Sequence, residues 1–252
     1  MEFVLALIMG GSLGGAAGYL GTLMLSQRMA LVAGPLGHLT LPGIALAMIF
    51  GFDVSLGAFP LVILGIVFIW LFEMRTGLPM EAVTAIVFAA GVAITFLFLP
   101  EGKAVPALIG DISQVTFSAA IIVIILSLIV FIMTKKIYSK MILAGISKDL
   151  AKVQGINFNK YNLLYLLNIA LIVALGVRIM GGLMTAALVA IPASTARNMT
   201  RNLTQYSYGG LILGSLASIL GIVGFRYTGL PAGPLIVIAG TFFFLVSLGF
   251  KR

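Results

Sequence analysis

The sequence predicts an all-α fold: a polytopic transmembrane helical bundle of eight or nine spans, forming one domain over residues 1–252. Three observations predict it. Hydrophobic residues make up 61% of the chain and charged residues 9%, with a mean hydropathy of +1.20, whereas soluble domains carry about 25% charged residues. Apolar runs recur along the whole chain at about the 20-residue length that crosses a bilayer as helix. Lysine and arginine collect in the short segments between those runs, which is how membrane proteins set their orientation.

The runs cover approximately 3–26, 30–52, 54–72, 79–99, 115–134, 161–177, 179–196, 208–225 and 233–250. The first follows Met1-Glu2 directly, lacks a basic leader and is too long for an h-region, so no cleavable signal is expected. Gly10, Gly14 and Gly18 lie four apart in it, as do Gly11 and Gly15, and Gly210, Gly214 and Ser218 repeat the spacing in the eighth run. Residues four apart share a helix face, and small ones let helices approach closely in lipid. These stripes predict tight helix packing, either within the chain or against another subunit. The second and seventh runs contain internal Pro or Gly, and the narrow gap at Arg178 predicts a tight hairpin or re-entrant piece between runs six and seven. If the weaker runs merge or stop short, eight spans result.

Two polar segments stand between runs. Ser147 to Ile156 reads as a short amphipathic helix stopped by Gly155. It suits either an interface rich in anionic lipid or a protein-docking role. Ile191 to Met199 reads as a short surface helix capped by Ser194 or Thr195. The loop 135–160 holds six lysines against Asp149 alone, the loop 197–207 holds Arg197 and Arg201, and the chain ends in Lys251-Arg252. The positive-inside rule makes all three cytoplasmic, with the 100–114 loop outside and, for nine spans, an external N-terminus.

Many chemistries are excluded. The chain has no cysteine, hence no disulfide or thiolate metal site. It contains no glycine-rich phosphate loop, so ATP hydrolysis is not its own activity. The net charge of +8 lies in topology-setting loops rather than on a nucleic-acid face. All seven acids (Glu2, Asp53, Glu73, Glu81, Glu101, Asp111, Asp149) fall near run ends or in loops, which argues against proton- or sodium-coupled transport through buried carboxylates.

The only histidine, His38, remains, in the run Gly34-Pro35-Leu36-Gly37-His38-Leu39-Thr40-Leu41-Pro42-Gly43. Broken helix at membrane depth is tolerated only where it is buried in protein or lines a cavity. An ionisable residue there marks a functional site. Gly34, Pro35, His38, Thr40, Pro42 and Gly43 are therefore the candidate translocation path, with His38 a transient metal contact. One imidazole does not make a stable metal site, and a histidine bonded to a carbonyl freed by Pro42 is the competing reading. A channel or secondary transporter gated by His38 also stays open at this point.

Four segments, in order, resemble the membrane permease subunit of the zinc/manganese-type ABC importer family. Arg28-Met29-Ala30-Leu31, His38 and Leu41-Pro42-Gly43 are similar to its Arg-Met-Ala-Leu, Asp-Ala-Leu-Ser-His-Ala and Leu-Pro-Gly. Asp149, Ala151 and Gly155 match a cytoplasmic Asp-x-x-Ala-x-x-x-Gly element, in which Asp149-Leu150-Ala151 leads to Gly155-Ile156. Val177 to Leu183 and Ile191-Pro192-Ala193-Ser194-Thr195-Ala196-Arg197 resemble Val-Gly-x-Leu-Leu and Ile-Pro-Ala-Ala-Thr-Ala-Arg. Leu230-Pro231-Ala232-Gly233-Pro234 matches Leu-Pro-x-Gly-Pro before the last span. One departure stands out: Gly34 occupies the position of an aspartate that the family places four residues before the histidine.

The resemblance implies a type II importer in a prokaryotic plasma membrane, built on two permease chains, most simply a homodimer, with two ATP-binding cassette ATPase subunits and an extracytoplasmic solute-binding protein. It implies a divalent metal ion as cargo, with no cofactor bound by this chain, and membrane lipid as its surroundings. ATPase coupling falls by resemblance to Asp149, Ala151, Gly155, Pro192, Ala193, Thr195, Ala196, Arg197 and Arg201, with 192–206 the main coupling segment. Glu101, Lys103, Asp111 and Arg226 would face the binding protein.

Overall fold

The computed structural model describes residues 2–27, 29, 33–52, 54–98, 116–181 and 184–250. These form eleven helices: α1 (Glu2–Ser26), α2 (Ala33–His38), α3 (Leu41–Phe50), α4 (Val54–Thr76), α5 (Met80–Phe98), α6 (Phe117–Ile146), α7 (Lys148–Val153), α8 (Phe158–Met180), α9 (Thr185–Met199), α10 (Leu203–Thr228) and α11 (Ala232–Leu248). No strand occurs among the described residues. Six helices, α1, α4, α5, α6, α8 and α10, are long and apolar enough to cross a membrane, and α11 is a shorter apolar helix of 17 residues. Among the described residues the runs at 30–52 and 179–196 do not form single long helices: the first is divided between α2 and α3, and the second contains the 15-residue α9.

Local chemistry places the boundaries. Thr116, Ser147, Asn157 and Asn202 cap α6, α7, α8 and α10, each side chain accepting an amide hydrogen from the first turn. Such a cap satisfies a donor the helix cannot pair internally. Gly155 and Gly229 end α7 and α10 at φ 71° and 70°, a left-handed conformation that glycine adopts without a Cβ clash. The amphipathic helix expected at 147–156 forms, capped by Ser147 and ended at Gly155.

Two local expectations are corrected. Helix α8 continues through Arg178 to Met180, and the chain turns at Gly181, whose φ is 80°; arginine favours helix and glycine permits the turn. Ser194 and Thr195 cap no helix. They lie inside α9, and the Thr195 hydroxyl donates to the Ile191 carbonyl at 2.8 Å. Helix α9 persists through Pro192 because Pro192, Ala193 and Ala196 are buried against neighbours, and this tertiary packing overrides the proline. The segment 192–206 is accordingly the end of α9, a break at Thr200-Arg201-Asn202, and the start of α10.

The centre of the bundle is α1, which packs on α10, α6 and α9. Its glycine stripe meets the stripe of α10. A Cβ on Gly14 would run into the Gly214 carbonyl, one on Gly214 into the Gly14 carbonyl, and one on Gly18 into the Gly210 carbonyl. The Ser215 hydroxyl donates to the Gly11 carbonyl at 2.8 Å across the same seam. Between the two readings left by the spacing, the glycines serve packing within the chain.

Candidate functional site

The break that carries His38 is a two-residue turn between α2 and α3. The Leu39 amide donates to the Pro35 carbonyl at 3.3 Å, and the Thr40 amide and hydroxyl both donate to the Gly37 carbonyl, at 3.4 and 2.6 Å. Pro42 lies in the first turn of α3, where its missing N–H leaves no bond unmade. The turn is thus held by bonds to the Pro35 and Gly37 carbonyls, and Pro42 removes no intrahelical donor.

Leu39 locks the turn to the bundle. A Cβ on Gly65 of α4 would come within 2.7 Å of one Leu39 methyl, and a Cβ on Gly91 of α5 within 3.1 Å of the other. The two glycines form the socket that holds Leu39. Gly43 is buried where α3 crosses α4, and a Cβ there would meet the Gly57 backbone. Thr40 and Pro42 are also buried.

His38 differs. It is half-buried, as is Pro35, and its ring lies 5.3 Å from that of Phe88 on α5, tilted by 57°. Among the described residues no hydrogen bond ties the imidazole to a carbonyl near Pro42, and the Gly37 carbonyl already serves Thr40. No group of three or more His, Cys, Asp or Glu residues that could hold a metal occurs among the described residues. Gly34 lies one turn before His38 in α2, so that face of α2 offers imidazole without carboxylate.

A second region forms at one end of the bundle, where α1, α4, α6, α9 and α11 finish and α5, α8 and α10 begin. Cavities open there among the described residues. One of 820 Å³ lies among Gln27, Glu73, Glu81, Met141 and Asn162. One of 440 Å³ lies among Ser26, Ile142, Gly145, Arg197, Arg201 and Tyr206. One of 710 Å³ lies among Leu25, Ser194, Arg197, Arg201 and Phe250. Arg197 and Arg201 border both of the latter.

The residues singled out for coupling divide by burial. Asp149, Gly155, Arg197 and Arg201 are exposed, whereas Ala151, Pro192, Ala193, Thr195 and Ala196 are buried. The buried set shapes α7 and α9, and the exposed set presents surface. Arg226 is exposed near the end of α10, with its guanidinium 5.9 Å from the centre of the Phe3 ring at the start of α1. It therefore lies at the opposite end of the bundle from Arg197. Glu101, Lys103 and Asp111 lie outside the described residues.

Sequence reasoning missed the clamps at the basic end. The Gln27 amide donates to the Met141 carbonyl at 2.7 Å, tying the end of α1 to α6. The Asn162 amide donates to Glu73 at 3.0 Å, tying α8 to α4, and that of Asn198 donates to the Ser247 hydroxyl at 2.9 Å, tying α9 to α11. The available signal was an amide side chain at a run boundary, but each partner is distant in sequence.

Comparison with known proteins agrees with this architecture. The profile of the ABC 3 transport family matches residues 2–251. The chain is 27% identical over 244 residues to the high-affinity zinc uptake system membrane protein ZnuB of Haemophilus influenzae, covering 92% of this chain and 91% of that protein. It is 25% identical over 247 residues to the manganese import system permease protein ScaB of Streptococcus gordonii, covering 96% of this chain and 88% of that one. Its fold superposes on a chain of PsaBC from Streptococcus pneumoniae, solved in complex with a Fab, with a TM-score of 0.79 at 24% identity, covering 98% of this chain and 91% of that one. With a match that runs almost end to end and a bundle that shares this fold, the chain belongs to the ABC 3 transport family.

Proposed function

We propose that this chain is the membrane permease subunit of an ATP-binding cassette importer that carries a divalent transition-metal ion, zinc or manganese, into the cell. The family match over residues 2–251 carries this reading. Relatives named for zinc and for manganese import support the cargo class. The stand-alone channel and secondary transporter gain nothing from these comparisons.

In this reading two permease chains flank a central path, and His38 of each contacts the ion in transit. An imidazole without a neighbouring carboxylate suits zinc better than manganese. Two ATPase subunits engage the basic end, which is cytoplasmic together with the C-terminus, through Arg197 and Arg201 and through Asp149 and Gly155 of α7. Pro192, Ala193, Thr195, Ala196 and Ala151 hold those surfaces in place. A solute-binding protein docks at the opposite end, near Arg226 and the segment with Glu101, Lys103 and Asp111. ATP drives transport by binding the two global states of the permease unequally.

The test is uptake by the assembled importer under starvation for zinc, then for manganese. With His38→Ala, uptake at limiting metal is expected to fall while assembly with the ATPase persists. Unchanged uptake removes His38 from the path, and failure to co-purify with a P-loop ATPase overturns the importer reading.

A further inference from the structure

Helix α6 carries a feature the transport reading does not use. Its exposed residues form one stripe at helical spacing: Ile121, Ile122, Ile125, Leu128, Ile129 and Ile132, continuing as Lys135, Lys136, Ser139 and Lys140. The face changes from purely aliphatic to basic in a single turn. From Phe117 to Lys136 the helix rises about 28 Å, at ~1.5 Å per residue, close to the ~30 Å thickness of the hydrocarbon. With Phe117 at one edge of the apolar layer, Lys135 and Lys136 stand at the other, and Lys140 lies a further turn out, at headgroup depth.

This face looks away from the path. Helix α6 packs chiefly on α1 and α8, while α2, which carries His38, packs on α9, α5 and α8. Lys135 and Lys140 are also held by the neighbouring helices. Lys135 Nζ lies 5.9 Å from the centre of the Tyr208 ring of α10. Lys140 Nζ donates to the Tyr161 hydroxyl of α8 at 2.6 Å and lies 4.6 Å from the centre of that ring. Helices α6, α8 and α10 contain no aspartate or glutamate, so these ammonium groups have no carboxylate partner on the helices that frame them. A tyrosine beside an ammonium also leaves its positive charge uncompensated, unlike an ion pair.

We infer that Lys135, Lys136 and Lys140, framed by Tyr208 and Tyr161, form a binding site for the headgroup of an anionic phospholipid. The aliphatic stripe from Ile121 to Ile132 lies against its acyl chains, and the phosphate meets the ammonium groups where the stripe turns basic. Anionic lipid at a membrane surface is worth ~1 kcal/mol per lysine, about a fivefold change in binding for each.

The test uses the full chain purified in neutral detergent, titrated with phosphatidylglycerol or phosphatidylcholine, with bound lipid counted by native mass spectrometry. Phosphatidylglycerol is expected to bind preferentially, and a variant with Lys135→Gln, Lys136→Gln and Lys140→Gln to lose that preference by tenfold or more. A control with Lys152→Gln and Lys160→Gln removes charge off the stripe and is expected to keep it. Both variants change only exposed side chains, and circular dichroism verifies their helix content. Equal binding of the two lipids, equal loss in the control, or displacement of the lipid by millimolar inorganic phosphate overturns the proposal. So does a triple variant that keeps its lipid but fails to assemble with the ATPase, which would assign the lysines to a protein contact.

Discussion

Gly14 of α1 and Gly214 of α10 meet backbone to backbone, each occupying the space that a Cβ on the other would need. Two hundred residues of chain separate them, yet the helices cross so closely that Ser215 of α10 bonds the Gly11 carbonyl directly. In lipid, where apolar side chains gain nothing by leaving their surroundings, such close packing holds helices together. Gly14→Ala or Gly214→Ala is therefore expected to destabilise the protein by about 1–3 kcal/mol, the usual cost of overpacking. The thermal midpoint in detergent reads this out. Gly51→Ala makes a useful contrast, since a Cβ there meets nothing within 4 Å and only its φ of 73° opposes the change.

The amide of Gln27 closes the basic end of α1 onto α6. Gln27→Ala removes the donor to the Met141 carbonyl, an effect of about 1 kcal/mol. Hydrogen exchange is expected to rise selectively at residues 141–146, with the α1–α10 seam unchanged. Gly145→Leu attacks the same clamp from the other side, because even a Cβ there would come within 2.7 Å of the Gln27 amide.

Arg197 and Arg226 occupy opposite ends of the bundle, and both are exposed. Charge reversal separates their roles. Arg197→Glu is expected to reduce transport-coupled ATP hydrolysis roughly tenfold or more, in line with loss of a charged docking contact. Arg226→Glu is expected to weaken stimulation by the solute-binding protein while leaving association with the ATPase intact. Measuring ATPase activity with and without the binding protein distinguishes them, and preserved coupling in Arg197→Glu removes that residue from the coupling surface.

Gly34 stands one helical turn before His38. Gly34→Asp returns a carboxylate to that position and is expected to shift uptake toward manganese relative to zinc. Carboxylate suits manganese and imidazole suits zinc, so the ratio of manganese to zinc uptake is expected to rise. Competition between the two ions for uptake measures it, and an unchanged ratio would mean that this face of α2 does not contact the ion.

Much of the architecture was legible in the sequence. The glycine stripes announced close packing, the Pro and Gly around His38 announced a broken helix, and Ser147 and Gly155 marked α7. Other features were not. Ser194 or Thr195 read as the cap of a new helix, yet α9 runs through both from Thr185 to Met199. Leu39 is one leucine among many until Gly65 and Gly91 are seen to form its socket. The coupling motif read as one surface in sequence, but burial divides it, leaving Arg197 and Arg201 outside and Ala193 and Ala196 inside.

The sequence alone determined the membrane class, the helical runs, the break at His38 and the stop at Gly155. Those depend on local quantities: apolar length against bilayer thickness, the φ range open to each residue, and the missing N–H of proline. Only the tertiary structure decided that the stripe of α1 meets that of α10, that Gln27 finds Met141, and that the basic helix ends gather at one end. The physical reason is that lipid supplies no general drive for helices to associate, so partners are chosen by shape and hydrogen bonds between segments far apart in the chain.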